Sequence, residues 1–238
     1  MSSMFYSRRD APNCDWCPYK KNCLYDLLGT KEAKKAWREM RLARAFKRGE
    51  VIFHEGALPR GVYIVCSGKL KLYKSSRTGH QLTTRVESSG DLIGHVTLLA
   101  DDGPYTGTGE ALEPSVVSTI DSRSFLDFLT KFPQAALALL RELARDVRRG
   151  ENKARDIAFK PARGRLADTL LRMMLPQKPY PVVAGIKRRD LAEMAGLTIE
   201  TTVRLLKDFE ESDVLRKKEK DLLILGEDRL RALSTSAS

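Results

Sequence analysis

A chain of 238 residues is long enough for two small domains, each with its own core. Hydrophobic residues make up 42% and charged residues 31%, a soluble globular balance, and no apolar run approaches the roughly 20 residues of a membrane span. The N-terminus lacks the apolar core of a signal peptide, so the expected address is the cytoplasm, and a net charge of +11 favours a polyanionic partner such as DNA.

Residues 1–30 read as an irregular segment carrying Cys14, Cys17 and Cys23 in a C-x2-C-x5-C spacing. A two-residue gap lets adjacent thiolates reach one metal centre, and a third closes from a short loop. Arg8, Arg9, Lys20 and Lys21 lie beside them and are expected to lower the thiol pKa values, favouring ligation. A cytosolic address argues against a disulfide framework. Zinc and an iron–sulfur cluster both satisfy the spacing.

Residues 31–48 read as a basic helix. From Lys47 the pattern changes to short alternating runs punctuated by glycine, with strands predicted at Val51–His54, Val62–Cys66, Leu70–Lys74, Leu82–Val86, Tyr105–Glu110 and Ser115–Ile120. Strands this short with turns this frequent suggest a small antiparallel barrel or jelly roll, interrupted by a helical turn at Gly94–Leu99. The roll is expected to span residues 31–123, with helical structure from Ser124.

Phe132–Ala158 is predicted as one long helix within a 124–160 dimerisation segment. Leu140, Leu143, Val147, Gly150, Ala154 and Ile157 recur in steps of three and four, the narrow seam of a coiled coil, between arginines and lysines that a buried helix could not carry. Such a seam meets a copy of itself. Gly150 and Ala154 leave its middle weak, so modest energy from elsewhere could decide pairing.

The last segment, 161–238, holds a helix at Arg163–Leu175 and then a short helix from Lys187, a turn at Gly196 and a second helix capped by Thr198. Small Ala192 and Ala195 and apolar Leu191, Leu197, Leu205, Leu206 and Phe209 supply the inner face of a helix-turn-helix. Glu200, Val203 and Arg204 share the opposite face, where arginine can donate twice to guanine, glutamate accept from cytosine and valine rest on a thymine methyl. Lys187, Arg188, Thr198 and Lys207 sit where phosphates are expected. Val214–Leu225, with basic residues at its tip, reads as a wing.

Over nearly its whole length the chain resembles the CRP/FNR superfamily of bacterial transcription regulators. The resemblance rests on Lys47–Glu50, Val62–Leu72 and Gly90–Gly94 in the roll, and on Arg188–Ala192 and Gly196–Arg204 in the reader. It implies an α+β fold: an N-terminal antiparallel β-roll like cyclic-nucleotide-binding domains, a long dimerisation helix and a C-terminal winged helix-turn-helix. It further implies a homodimer on double-stranded DNA with a two-fold symmetric site, Glu200 and Arg204 as base readers and RNA polymerase as a partner. Valine at 203, where the FNR type carries serine, points to a different half-site. Residues 94–108 lack the arginine that holds a cyclic nucleotide phosphate in relatives and instead offer Asp101 and Asp102, so no cyclic nucleotide is expected.

The cysteine spacing resembles the oxygen-sensing FNR branch, which implies an iron–sulfur cluster, 4Fe–4S in that branch. Its fourth cysteine aligns with Ser118 here, and the expected substitute is Cys66 on a neighbouring strand. His54, His80 and His95 read as surface or core residues, with His95 the reserve ligand, and Trp16 and Tyr19 as shields of the cluster. Two alternatives stay open: the same fold with structural zinc at the cysteines, and an iron–sulfur redox enzyme carrying a DNA-binding tail.

Overall fold

The computed structural model describes residues 12–101 and 103–235. Arg8, Arg9 and Asp102, invoked above, lie outside the described residues. The chain forms two compact units, the first from the described residues up to Ser76 together with Arg85–Arg148, the second from Arg77–Thr84 and the residues after Arg148.

In the first unit, two turns of 3-10 helix (Lys20–Asn22 and Leu24–Leu27) lead into helix α1 (Lys31–Glu39). Thr30 caps α1, its Oγ1 accepting from the Ala33 N–H at 3.1 Å, which satisfies one of the orphan donors of a helix start. The helix does not continue to residue 48. It stops at Glu39, and Leu42–Phe46 is strand β1, pairing antiparallel with β8 (Ser115–Asp121). Ala43 and Phe46 turn inside while Leu42 and Ala45 face out, and five residues of antiparallel pairing with β8 override helix propensity here.

The roll adds β2 (Val51–Phe53), β3 (Gly61–Ser67), β4 (Lys69–Ser75), β5 (Gln81–Ser88), β6 (Leu92–Ile93) and β7 (Thr108–Ala111), with helix α2 at His95–Ala100. Two four-stranded sheets result, ordered β1-β8-β3-β6 and β2-β7-β4-β5. Between them pack Phe46, Phe53, Tyr63, Val65, Leu70, Leu72, Ile93, Tyr105 and Val117. Gly109 is dictated by this core: a Cβ there would lie 2.8 Å from the Phe53 ring.

The register of β3 on β8 slips between Val65 and Ser67, which face Val117 and Val116. Cys66 is the extra residue of this bulge, a device that re-aims a side chain out of strict alternation. Its thiol is buried.

Two helices follow, and the second matches the long helix expected over Phe132–Ala158 to within one residue at each end. Helix α3 (Ser122–Lys131) is capped by Asp121, whose carboxylate accepts from the Ser124 N–H at 2.9 Å. Phe132 then leaves helical geometry, and α4 (Pro133–Phe159) begins. Proline at the first position of α4 needs no N–H donor there, and it pushes the residue before it out of the helical region. The start of α4 has a core face, Ala135, Ala138 and Leu139, continued by Asp146, whose carboxylate pairs with Arg85 and stands 3.2 Å from Nε2 of fully buried His95.

A second core cluster joins the N-terminal segment to the helices: Cys14, Tyr25, Leu28, Ala33 and Trp37 pack with Val62, Ile64, Leu92 and Ile120 of the roll and with Phe125, Phe128, Ala135 and Leu139. Trp37 is fully buried, meeting Phe125 edge-on at 6.5 Å and Phe128 tilted at 5.5 Å between ring centres.

In the second unit, α5 (Ala162–Met173), β9 (Val182–Val183), α6 (Arg188–Ala195), α7 (Ile199–Glu211), β10 (Leu215–Lys218), β11 (Asp221–Ile224) and α8 (Glu227–Thr235) form a winged helix-turn-helix. The wing sheet runs β10-β11-β9. Helix α8, not anticipated from sequence, packs against α5 and opens on Glu227 and Asp228, acids that suit a helix N-terminus.

Candidate functional site

The four cysteines are free thiols, and all four line one small pocket of about 20 Å³ that is partly open to solvent. Three arrive on the loop and 3-10 turns that precede α1, and Cys66 arrives from the β3 bulge. The loop is fixed by polar contacts: the Asp15 carboxylate accepts from the Tyr25 hydroxyl and pairs with Arg38 at 2.6 Å, and Arg38 Nη1 donates to the Tyr25 hydroxyl oxygen at 2.9 Å. Cys66 Sγ lies 3.1 Å from Ser118 Oγ, so the two strand positions adjoin as expected. Among the described residues, no group of three or more His, Cys, Asp or Glu side chains is gathered so as to hold a single metal ion. The thiols stand as walls around shared space.

Arg41 lies in the same pocket and escaped the sequence reading altogether. It is 4% exposed. Its Nη1 is 3.9 Å from Cys66 Sγ, its Nη2 donates to the Pro12 carbonyl at 3.0 Å, and its Nε has no hydrogen-bond partner among the described residues. No signal in the sequence separates this arginine from Arg38 or Arg44; only the fold buries it.

The thiol pKa values move opposite to expectation. Burial pushes Cys14 up to about 11, with Arg41 opposing, and pushes Cys23 up to about 12, against the Tyr25 backbone N–H and Arg41. Desolvation penalises the thiolate more than nearby cations favour it. Any ligand taken up here must displace protons. Of the anticipated shields, Tyr19 lines the pocket, but Trp16 is 85% exposed and does not. His95, the reserve ligand, is engaged beside Asp146 and lies outside the pocket lining.

Along α4 the anticipated seam is largely open. Leu140, Val147, Gly150, Ala154 and Ile157 are exposed and Leu143 is half-buried, and a Cβ on Gly150 would meet nothing within 4 Å. The seam thus lies apart from the core face at Ala135, Ala138 and Leu139.

The reader is built on Gly196, whose left-handed φ of +62° lets the chain reverse between α6 and α7. Thr198 caps α7, accepting from the Thr201 N–H at 3.2 Å. Thr202, Leu205, Leu206 and Phe209 turn inward, while Glu200, Val203, Arg204 and Lys207 are exposed together. The backbone N–H of Glu200 and the Thr198 hydroxyl donate to the Glu200 carboxylate and hold it below its ordinary range, keeping it an acceptor. Of the anticipated phosphate contacts, Lys187 and Thr198 are exposed at the starts of α6 and α7, whereas Arg188 is half-buried, and burial lowers its pKa against the pull of Glu210. Lys217 of the wing ties to Glu210 at 2.9 Å. If Arg204 reads bases, Arg204→Ala costs about 1–3 kcal/mol on the preferred site and relaxes its discrimination, while Lys207→Ala weakens all sequences alike; competition gel shifts with matched and scrambled DNA measure both.

Family models match the chain twice: a cyclic nucleotide-binding domain over residues 43–132 and a Crp-like helix-turn-helix domain over 164–233. The chain is 31% identical over 173 residues to the cyclic AMP receptor protein of Thermus thermophilus, covering 73% of this chain and 79% of that one. It is 27% identical over 229 residues to the fumarate and nitrate reduction regulatory protein of Vibrio cholerae, covering 94% and 91%. The structure of FixK2 from Bradyrhizobium japonicum superposes with a TM-score of 0.69 at 24% identity, over 83% of this chain and 99% of that one. A β-roll, a long helix and a winged reader, matched along their length by these regulators, place the chain in the CRP/FNR superfamily of transcription regulators, which are DNA-binding proteins and not enzymes.

Proposed function

We propose that this regulator senses oxygen, nitric oxide or redox state through an iron–sulfur cluster, 4Fe–4S by resemblance, held by Cys14, Cys17, Cys23 and Cys66. The observation that carries the reading is the convergence of all four cysteines, from two distant parts of the sequence, on one pocket beside a buried arginine. The donor set fits such a group: four thiols and a cation suit a sulfur-rich anion with several irons, each thiolate capping a different iron. A single zinc would instead require thiolate sulfurs about 3.8 Å apart, given Zn–S bonds of about 2.3 Å. When bound, the cluster supplies a link between loop and roll that oxidants can break.

What the protein does with that link follows from its own packing. Cys14, Tyr25 and Leu28 share a core with Ala135 and Leu139 at the base of α4. Fixing the cysteine loop therefore favours one setting of α4, and its exposed seam pairs with a second copy. Two readers then present Glu200, Val203 and Arg204 to a two-fold symmetric site on double-stranded DNA, with Lys187, Arg188, Thr198 and Lys207 on phosphates. RNA polymerase is the downstream partner, and the cytoplasm the working compartment.

No cyclic nucleotide is needed on this reading. Residues 94–108 supply no arginine or lysine, and the nearby Arg85 is engaged by Glu87 at 3.3 Å and by Asp146.

Metal analysis of protein purified without oxygen tests the assignment. Iron and acid-labile sulfide in equal amounts are expected; zinc without sulfide would transfer the cysteines to a structural role and remove the sensor.

A further inference from the structure

We infer that Arg41 is the counter-charge of the thiol pocket, a positioning residue that fixes the electrostatics of an anionic group bound there. The inference rests on the iron–sulfur reading and adds a residue to it that no cysteine motif contains.

A guanidinium is always charged, and burying one without an anion is costly. Arg41 is 4% exposed, and among the described residues it bonds the Cys66 sulfur and the Pro12 carbonyl, neither of them a carboxylate. Asp15, the acid next to Cys14, is already engaged by Arg38 at 2.6 Å and by the Tyr25 hydroxyl. Arg41 instead lines the same pocket as Cys14, Cys17 and Cys23, so its charge adjoins the thiols of the loop as well as the one on β3. Among the described residues, the groups that share the pocket with this buried cation and can balance it are the four thiols, once they carry negative charge. Its place at the head of β1, one residue before Leu42, holds it there through the backbone of the roll rather than through a flexible loop.

The charge has a direction of effect. A nearby cation stabilises the more electron-rich state of a bound cluster, so it raises the reduction potential and opposes loss of electrons to an oxidant. The full-length protein, loaded anaerobically with ferrous iron and sulfide, provides the test, compared with Arg41→Gln and Arg41→Lys. Arg41→Gln is expected to lower the midpoint potential in a spectroelectrochemical titration and to lose iron about threefold faster or more in air. Arg41→Lys, which keeps the charge, is expected to recover most of both. In the iron-free state, where the cation is unbalanced, Arg41→Gln is expected to melt no lower than the parent. Equal potentials for parent and Arg41→Gln, or an Arg41→Lys protein that behaves like Arg41→Gln, would overturn the inference while leaving the cluster in place. A parent protein that takes up no iron would overturn the underlying reading, and this one with it.

Discussion

Cys66→Ala is expected to abolish retention of iron and sulfide, and adding Ser118→Cys to the same chain is expected to restore it. The single change removes a wall of the thiol pocket, leaving Cys14, Cys17 and Cys23 with no protein ligand for a fourth position. The rescue follows from geometry: Cys66 Sγ and Ser118 Oγ are 3.1 Å apart on paired strands, so a sulfur at 118 starts within a side-chain adjustment of the lost one. Ser118 is fully buried and close to cysteine in size, so the exchange leaves the packing of β8 nearly intact. Iron and sulfide content after anaerobic reconstitution, with the visible absorption of each variant, measures the outcome. Undiminished iron in Cys66→Ala would remove that residue from the ligand set, and an iron-free double variant would show that position 118 cannot replace it.

Trp37→Ala is expected to destabilise the first unit by about 3–5 kcal/mol, the range for emptying a buried large aromatic site. Its ring is fully buried against Phe125 and Phe128, and its neighbours Cys14, Tyr25 and Leu28 belong to the loop that carries the cysteines. The variant is therefore expected to lose iron readily even though no ligand has changed. Urea unfolding followed by near-ultraviolet circular dichroism measures the loss. A change under about 1 kcal/mol would mean that loop and helices do not share one core.

Much of this architecture could be read from residue patterns. The reader was legible because its signals agree: small Ala192 and Ala195, the left-handed turn at Gly196, the cap at Thr198 and a 3.6-residue period in the inner face of α7. Strands β2 to β5 and β8 were marked by alternation between glycines. Strand β1 was lost because its inward residues, Ala43 and Phe46, do not alternate and a basic helix precedes it without a breaker. The start of the long helix was legible at Phe132-Pro133, one residue from where α4 begins.

The site was legible only in outline. The spacing of Cys14, Cys17 and Cys23 marks a metal segment, and the neighbourhood of Cys66 and Ser118 follows from adjacent strands. The bulge that aims Cys66 depends on a register slip, which residue types alone do not encode. The rise in the Cys14 and Cys23 pKa values was missed because sequence counts charges but not burial. Arg41 was missed for the same reason: its setting is created by the roll, β1 and the loop closing together.

One comparison decides whether the state of the thiol pocket governs pairing of α4 and grip on DNA. Protein kept free of oxygen, split in two and exposed to air in one half, should differ between halves in both sizing and gel shift: the iron-loaded half dimeric and tight on symmetric DNA, the aired half smaller and weaker by tenfold or more, a coupling of about 1.4 kcal/mol. Identical mass and identical DNA affinity in the two halves, with iron lost from only one, would contradict it.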